Sequence, residues 1–300
     1  MSGEPCAAPG PEPHTAAAAA PSRCPHGDSA AAPRAPDELT AAAEARNDRF
    51  LREIVETWQS CPYASGCRDS GRLWRAVSWT RPDDVAQERA TTRILNQIEH
   101  LEQAAAEAAR QGVHPEVALL LFPGLGAVSS SAFDALHLRV RDAYEATFPS
   151  ARFYVVAFHP DYPADDRTPH TLVRFYRRSP DPTMQFVDRQ LLAELRRGSN
   201  EAERVRLAAD LIAAGVDAEE LARRLKPARD PAARVTARNA ETYAEQGDAL
   251  RAHVDELAAM ARHERAATEA AVDAAGAALC DGPWRVVARG GRPQAGRSAS

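Results

Sequence analysis

The stretch Arg152–Pro182, RFYVVAFHPDYPADDRTPHTLVRFYRRSPDP, decides how the rest of the chain is read. It opens as a run of aromatic and β-branched residues, Arg152–Phe158, the composition of a buried strand. It breaks at Phe158-His159-Pro160-Asp161-Tyr162 and crosses a polar loop. It closes on Arg177-Arg178-Ser179-Pro180-Asp181-Pro182. Asp181 suits an N-cap and Pro182 the first helical position, where a missing N–H does no harm. A helix is therefore expected from Pro182 to near Gly198, with Met184, Val187, Leu191 and Leu195 on its buried face.

Two more strands are expected upstream. Val117–Phe122 is uniformly apolar, as in a strand covered on both faces, and Leu73–Trp79 is rich in Trp and Val. Helical spacing fills the intervals. One helix should run from Pro82 to Gln111 with Val85, Leu95, Ile98 and Leu101 inward, and stop at Gly112. Another should run from Ala132 to Thr147, capped by Ser131, with Phe133, Leu136, Val140 and Tyr144 inward. A first helix should extend from Glu38 to Gln59 behind an Asp37 cap, presenting Leu39, Ala43, Phe50, Ile54 and Trp58, and end at Ser60-Cys61-Pro62-Tyr63. Helical crossovers favour parallel neighbours. The expected fold is α/β, or α+β, with a small three-stranded, largely parallel sheet layered with helices and a C-terminal helical extension.

The domain boundaries follow composition. Residues 1–36 are rich in Ala, Pro, Gly and Ser, bury too little to offset chain entropy, and should form a disordered tail. Residues 37–198 form the core. Residues 199–280 form a helical extension: a hairpin of Glu201–Ala214 and Ala218–Leu225, then a long helix, Ala233–Leu279. That helix has sparse apolar positions at Tyr243, Leu250, Val254, Leu257 and Val272, and so suits an arm for self-association. Trp284–Ala288 can add an edge strand, and 281–300 should be a loose tail.

The net charge of -5 argues against a basic nucleic-acid face. No apolar run reaches membrane-span length, and Ala16–Ala20 lacks the basic flank of a signal peptide. The five cysteines include Cys6 and Cys24 in the tail and suggest no disulfide framework. The expectation is a soluble cytoplasmic protein with reduced thiols. Gly124-Leu125-Gly126 lacks the lysine of a P-loop and the third glycine of a dinucleotide fingerprint, so it reads as a turn and no cofactor is assigned.

Several segments resemble a bacterial family known only as domain of unknown function 1415. They are Cys61-Pro62-Tyr63-Ala64, Gly71-Arg72 before a strand, the strand Leu119–Pro123, Phe158-His159-Pro160-Asp161-Tyr162, and Arg178-Ser179-Pro180 with Pro182. The resemblance covers about Phe50 to Arg189. Arg177 replaces an asparagine of the family pattern, Asp181 a tyrosine, and Gln185 a histidine. The resemblance implies no activity; it marks residues to watch.

Among these, His159 leaves an apolar strand before a proline that holds it extended. It suits a general base or a metal ligand; equally, its ring can bond a loop carbonyl and hold the turn. Asp161 can orient that imidazole, or satisfy loop N–H groups in an Asx turn. Cys61, at a helix exit, is either a nucleophile paired with His159 or a small residue packed beneath the site. Cys67 is close enough in sequence to pair with it under oxidation. Arg177, Arg178 and Ser179 precede the expected helix start and so suit an anion; otherwise they are a solvated loop paired with neighbouring acids. Tyr63 and Tyr162 flank the two turns and complete the substrate-binding set. No zinc-type Cys/His spacing appears; Cys24 and His26 are two ligands without partners.

The favoured expectation is a small-molecule enzyme with His159, Asp161 and Cys61 as catalytic residues and an anionic substrate held by Arg178. The alternatives are a binding or scaffold protein acting through the helical arm, and a metal-binding protein using His159, Asp161 and a cysteine. All require the three turns to line one hollow.

Overall fold

A computed structural model describes residues 35–61, 63–163, 168–193, 231–275, 279 and 281–287, all within one compact unit, 33–300. The remaining segments lie outside the described residues. They include the hairpin expected at 201–225, most of both tails, and Cys6, Cys24, His26 and Cys280.

Five strands form one mixed sheet: β1 (Leu73–Val77), β2 (Val117–Leu121), β3 (Phe153–Phe158), β4 (Thr183–Asp188) and β5 (Arg285–Val286), in the order β3-β4-β2-β1-β5. Only β1 and β2 are parallel, joined by a helical crossover as parallel neighbours require. The other three pairings are antiparallel.

The expected three-stranded, largely parallel sheet is thus corrected, and the cause is one segment. Residues 183–188, expected as a helix, are β4 in the middle of the sheet, with Leu119 opposite Gln185 and Phe158 opposite Thr183. The spacing of Met184 and Val187 suggested one helical face. In the strand Met184 and Phe186 enter one side of the sheet, while Thr183, Gln185 and Val187 enter the other. Asp181 caps nothing; it is a buried ion-pair partner.

Among the described residues the helices are α1 (Ala35–Phe50), α2 (Ala64–Asp69), α3 (Glu88–Arg110), α4 (Ser130–Thr147), α5 (Pro169–Tyr176) and α6 (Pro231–Ala275), and residues 189–193, after β4, are helical as expected. α1 begins before Asp37 and continues as a π-helical stretch, Leu51–Glu56, up to Gln59, whose φ of 51° turns the chain. Pro82–Asp84 is a separate 3-10 turn, so α3 starts later than expected. Gly112 ends α3 with φ of 79°, a conformation only glycine adopts freely. Ser129, two residues before the hydroxyl expected to do so, caps α4 by accepting from the Ala132 N–H at 3.3 Å. α5 replaces much of the expected loop. Its start is a capping box in which the Thr168 hydroxyl accepts from the Thr171 N–H and the Thr171 hydroxyl from the Thr168 N–H, each at 3.1 Å, with Pro169 at the first position.

α3 and α4 cover one face of the sheet. There Ala118, Leu120, Phe153, Met184 and Phe186 pack against Ile94, Ile98, Leu101, Phe133, Leu136, Val140 and Tyr144. α1, α5 and α6 cover the other face, where Leu73, Val77, Leu119 and Leu121 meet Phe50, Ile54, Leu172, Phe175, Leu250 and Val254. α6 is therefore not a free arm: Leu250, Val254, Leu257 and Val272, expected to drive self-association, are buried against the body of the same chain. Arg46 pins this layer. It lies in α1, and its guanidinium donates to both Asp181 oxygens at 2.9 and 3.0 Å and to the α6 hydroxyl of Thr268 at 3.3 Å, with both charged partners fully buried.

Candidate functional site

Strand parity separates the expected catalytic residues. Along β3, residues 153, 155 and 157 face α3 and α4 while Phe158 faces the other layer, so the next residue, His159, returns to the α4 side. There its ring lies 5.7 Å from Phe133 and 5.9 Å from Tyr162, fully buried. Nε2 is 2.9 Å from the Val128 carbonyl, and Nδ1 is 3.1 Å from the Asp161 N–H. These partners fix one neutral tautomer: Nε2–H donates and Nδ1 accepts. Burial, opposed by the Asp161 charge, holds the imidazole pKa below its usual value. Both nitrogens are occupied, so His159 has no lone pair free for a metal or a proton transfer. It fastens the start of α4 to the Pro160-Asp161 turn.

The neighbouring candidates are likewise structural. The Asp161 backbone, not its carboxylate, meets the imidazole, and its side chain is exposed. Tyr162 is buried and donates its hydroxyl to Asp134, and burial pushes its phenol pKa upward. Arg178 donates to the Pro160 carbonyl at 3.2 Å and to Asp255 of α6 at 2.8 Å, leaving it committed to tying the loop down. Since Pro182 starts no helix, there is no dipole end to attract an anion.

The opposite face holds a cavity of about 370 Å³ between the sheet and α1, α2, α5 and α6. The three turns meet here after all, but through other residues. The first contributes Cys61 and Tyr63, the second Phe158 alone, and the third Arg177 and Ser179. Cys61 and His159 lie on opposite faces of the sheet, so they form no nucleophile–base pair. Ser179 is buried and donates to the Asp181 carbonyl.

The thiols of this cavity are protonated. Burial raises the Cys61 pKa, partly offset by the Tyr63 and Ala64 backbone N–H groups. Cys67 also lines the wall; it donates to Glu116 at 3.0 Å, and burial with that carboxylate pushes its pKa up to about 12.

Arg177 is the informative side chain. It is half-buried at the end of α5, its guanidinium 6.0 Å above the Phe158 ring. Among the described residues no hydrogen-bond or ion-pair partner reaches it, and it is the one charged side chain lining the cavity. Burial, reinforced by nearby Arg174, lowers its pKa, and the Tyr162 and Asp134 charges oppose this. Its other side borders a groove of about 270 Å³ at the β3 edge, lined by Asp134, His137, Tyr162 and Arg174. Gln185 also faces the cavity from β4 with no hydrogen-bond partner among the described residues. In the sequence it stands out only as a departure from a family pattern; the alternation of Thr183, Gln185 and Val187 is the signal that it shares a face with them. Asn239 of α6 closes another wall, its side-chain amide donating to the Ser60 carbonyl at 3.3 Å while its backbone carbonyl accepts from the Tyr176 hydroxyl at 2.9 Å.

The chain belongs to the family described as protein of unknown function (DUF1415), whose model matches residues 42–213, more than half its length. No curated protein and no solved structure matches it. Among the described residues no three His, Cys, Asp or Glu side chains are grouped as a metal site, and no helix is long and apolar enough to cross a membrane.

Proposed function

We propose that this protein binds a small anionic molecule in the cavity beneath α1, α5 and α6, with Arg177 as its counter-charge. One observation carries the reading: among the described residues, a half-buried guanidinium without a hydrogen-bond or ion-pair partner is the sole charge on an otherwise largely apolar wall. Withdrawing a cation from water without a compensating anion is costly, and an arriving carboxylate would relieve that cost. The volume falls within the range of small-molecule pockets, which combine apolar walls with a few polar groups. Cys61, Tyr63 and Gln185 would contact the ligand body. Binding is favoured over thiol chemistry because burial keeps both cavity thiols protonated.

A thermal-shift panel of small organic acids on the full chain tests this. Acids that bind should raise the melting temperature of the wild type and of His159→Gln, and leave Arg177→Leu unmoved. Stabilisation that persists in Arg177→Leu, or vanishes in His159→Gln alone, would refute the assignment.

A further inference from the structure

We infer that the ligand is an elongated monocarboxylate with an apolar body, of the medium-chain acyl type. This rests on the reading of Arg177 as the anion's partner and extends it to the rest of the molecule.

The floor of the cavity is a diagonal stripe across four strands. Leu73 of β1 sits opposite Val117 of β2, and Val117 opposite Val187 of β4; Leu119 sits opposite Gln185, and Phe158 of β3 ends the stripe. Strands lie ~4.8 Å apart, so three gaps make the floor about 14 Å wide before its slant is counted. Arg177 stands at the Phe158 end. At the Leu73 end stands Cys67, whose hydrogen is already given to Glu116. Among the described residues the hollow is therefore long and charged at one end only.

That asymmetry selects the ligand. One cation balances one anion. A second carboxylate at the Leu73 end would meet an apolar wall and a thiol facing a glutamate, and would stay unpaired. Polar acids leave the floor uncovered and gain little from it. A chain running from Arg177 toward Leu73 covers apolar surface with every carbon. The volume is well over twice the roughly 150 Å³ that accommodates benzene, which leaves room for such a body.

Calorimetric titration of the full chain with hexanoate, octanoate, decanoate, decanedioate and decanol decides the matter. Affinity should rise roughly fourfold per added methylene as each one is buried. Decanedioate, equal in length to decanoate, should bind at least tenfold more weakly. Arg177→Leu and Arg177→Gln should each weaken decanoate at least tenfold and leave decanol unchanged. Affinity independent of chain length, or decanedioate matching decanoate, would overturn the inference while the anion site stands. Failure of every acid to bind would overturn both.

Discussion

The two faces of the sheet are closed by different means. Toward α3 and α4 it presents Leu120, Phe153, Met184 and Phe186, all fully buried, and the aromatic rings there meet edge-on, Phe153 against Phe186 at 6.4 Å. Even the imidazole in that layer's turn, His159, has both nitrogens matched. Toward α1, α5 and α6 the sheet presents Val117, Leu119, Gln185 and Val187, and about 370 Å³ is left unfilled. Interiors normally pack to the density of organic crystals, and atoms lining a void forfeit dispersion contacts. The chain packs the centre of one face closely and leaves a groove only at its β3 edge, so the hollow on the other face reflects the residues placed there. The cavity adds polar groups of its own: among the described residues, Arg177 and Gln185 face it without a hydrogen-bond partner. The proposed function belongs to the face that packing leaves incomplete.

The comparison is broken most severely by truncating equivalent positions on the two faces. Leu120→Ala empties a sealed site and should cost about 3–5 kcal/mol. Its neighbour Leu119 borders a hollow, so Leu119→Ala loses fewer contacts and should cost about 2 kcal/mol or less. Chemical denaturation measures both; equal losses would mean that the second face is as tightly packed as the first.

A smaller effect sharpens the role of His159. Replacing it with glutamine removes matched hydrogen bonds and should cost about 1–3 kcal/mol at neutral pH with ligand binding intact. Its pKa is depressed in the fold, so the neutral ring's contribution is present above the unfolded value of about 6.5 and is lost as pH falls through the folded value. Burial depresses His137 in the same sense. Melting temperature should therefore decline on acidification below about 6.5, and decline less in His159→Gln. A variant with unaltered pH dependence would remove His159 from this role.

Much of this was legible in the sequence, and the failures have physical causes. The buried faces of α3 and α4 followed from helical spacing, because Ile98, Leu101, Phe133, Leu136, Val140 and Tyr144 repeat without interruption. β4 was hidden because Met184 and Val187 fit a helix as well as the opposite faces of a strand, and a plausible cap preceded them. α5 was announced by Thr168-Pro169 with Thr171, a capping pattern obscured by the polar residues before it. Phe158 and His159 are consecutive at a strand end, so they could not both face one hollow. That parity is present in the sequence, but the reactive residue types around His159 mask it. Arg177 was one arginine among several, and only the fold shows that Arg178 is committed to Pro160 and Asp255 while Arg177 is not.

The most direct measurement is the rate at which iodoacetamide modifies Cys61 in the full chain, followed by peptide mass spectrometry with and without saturating decanoate. Cys61 lines the cavity and lies across the sheet from His159. If the cavity is the ligand site, decanoate slows modification of Cys61 at least tenfold. An unchanged rate would place the ligand elsewhere and contradict the account.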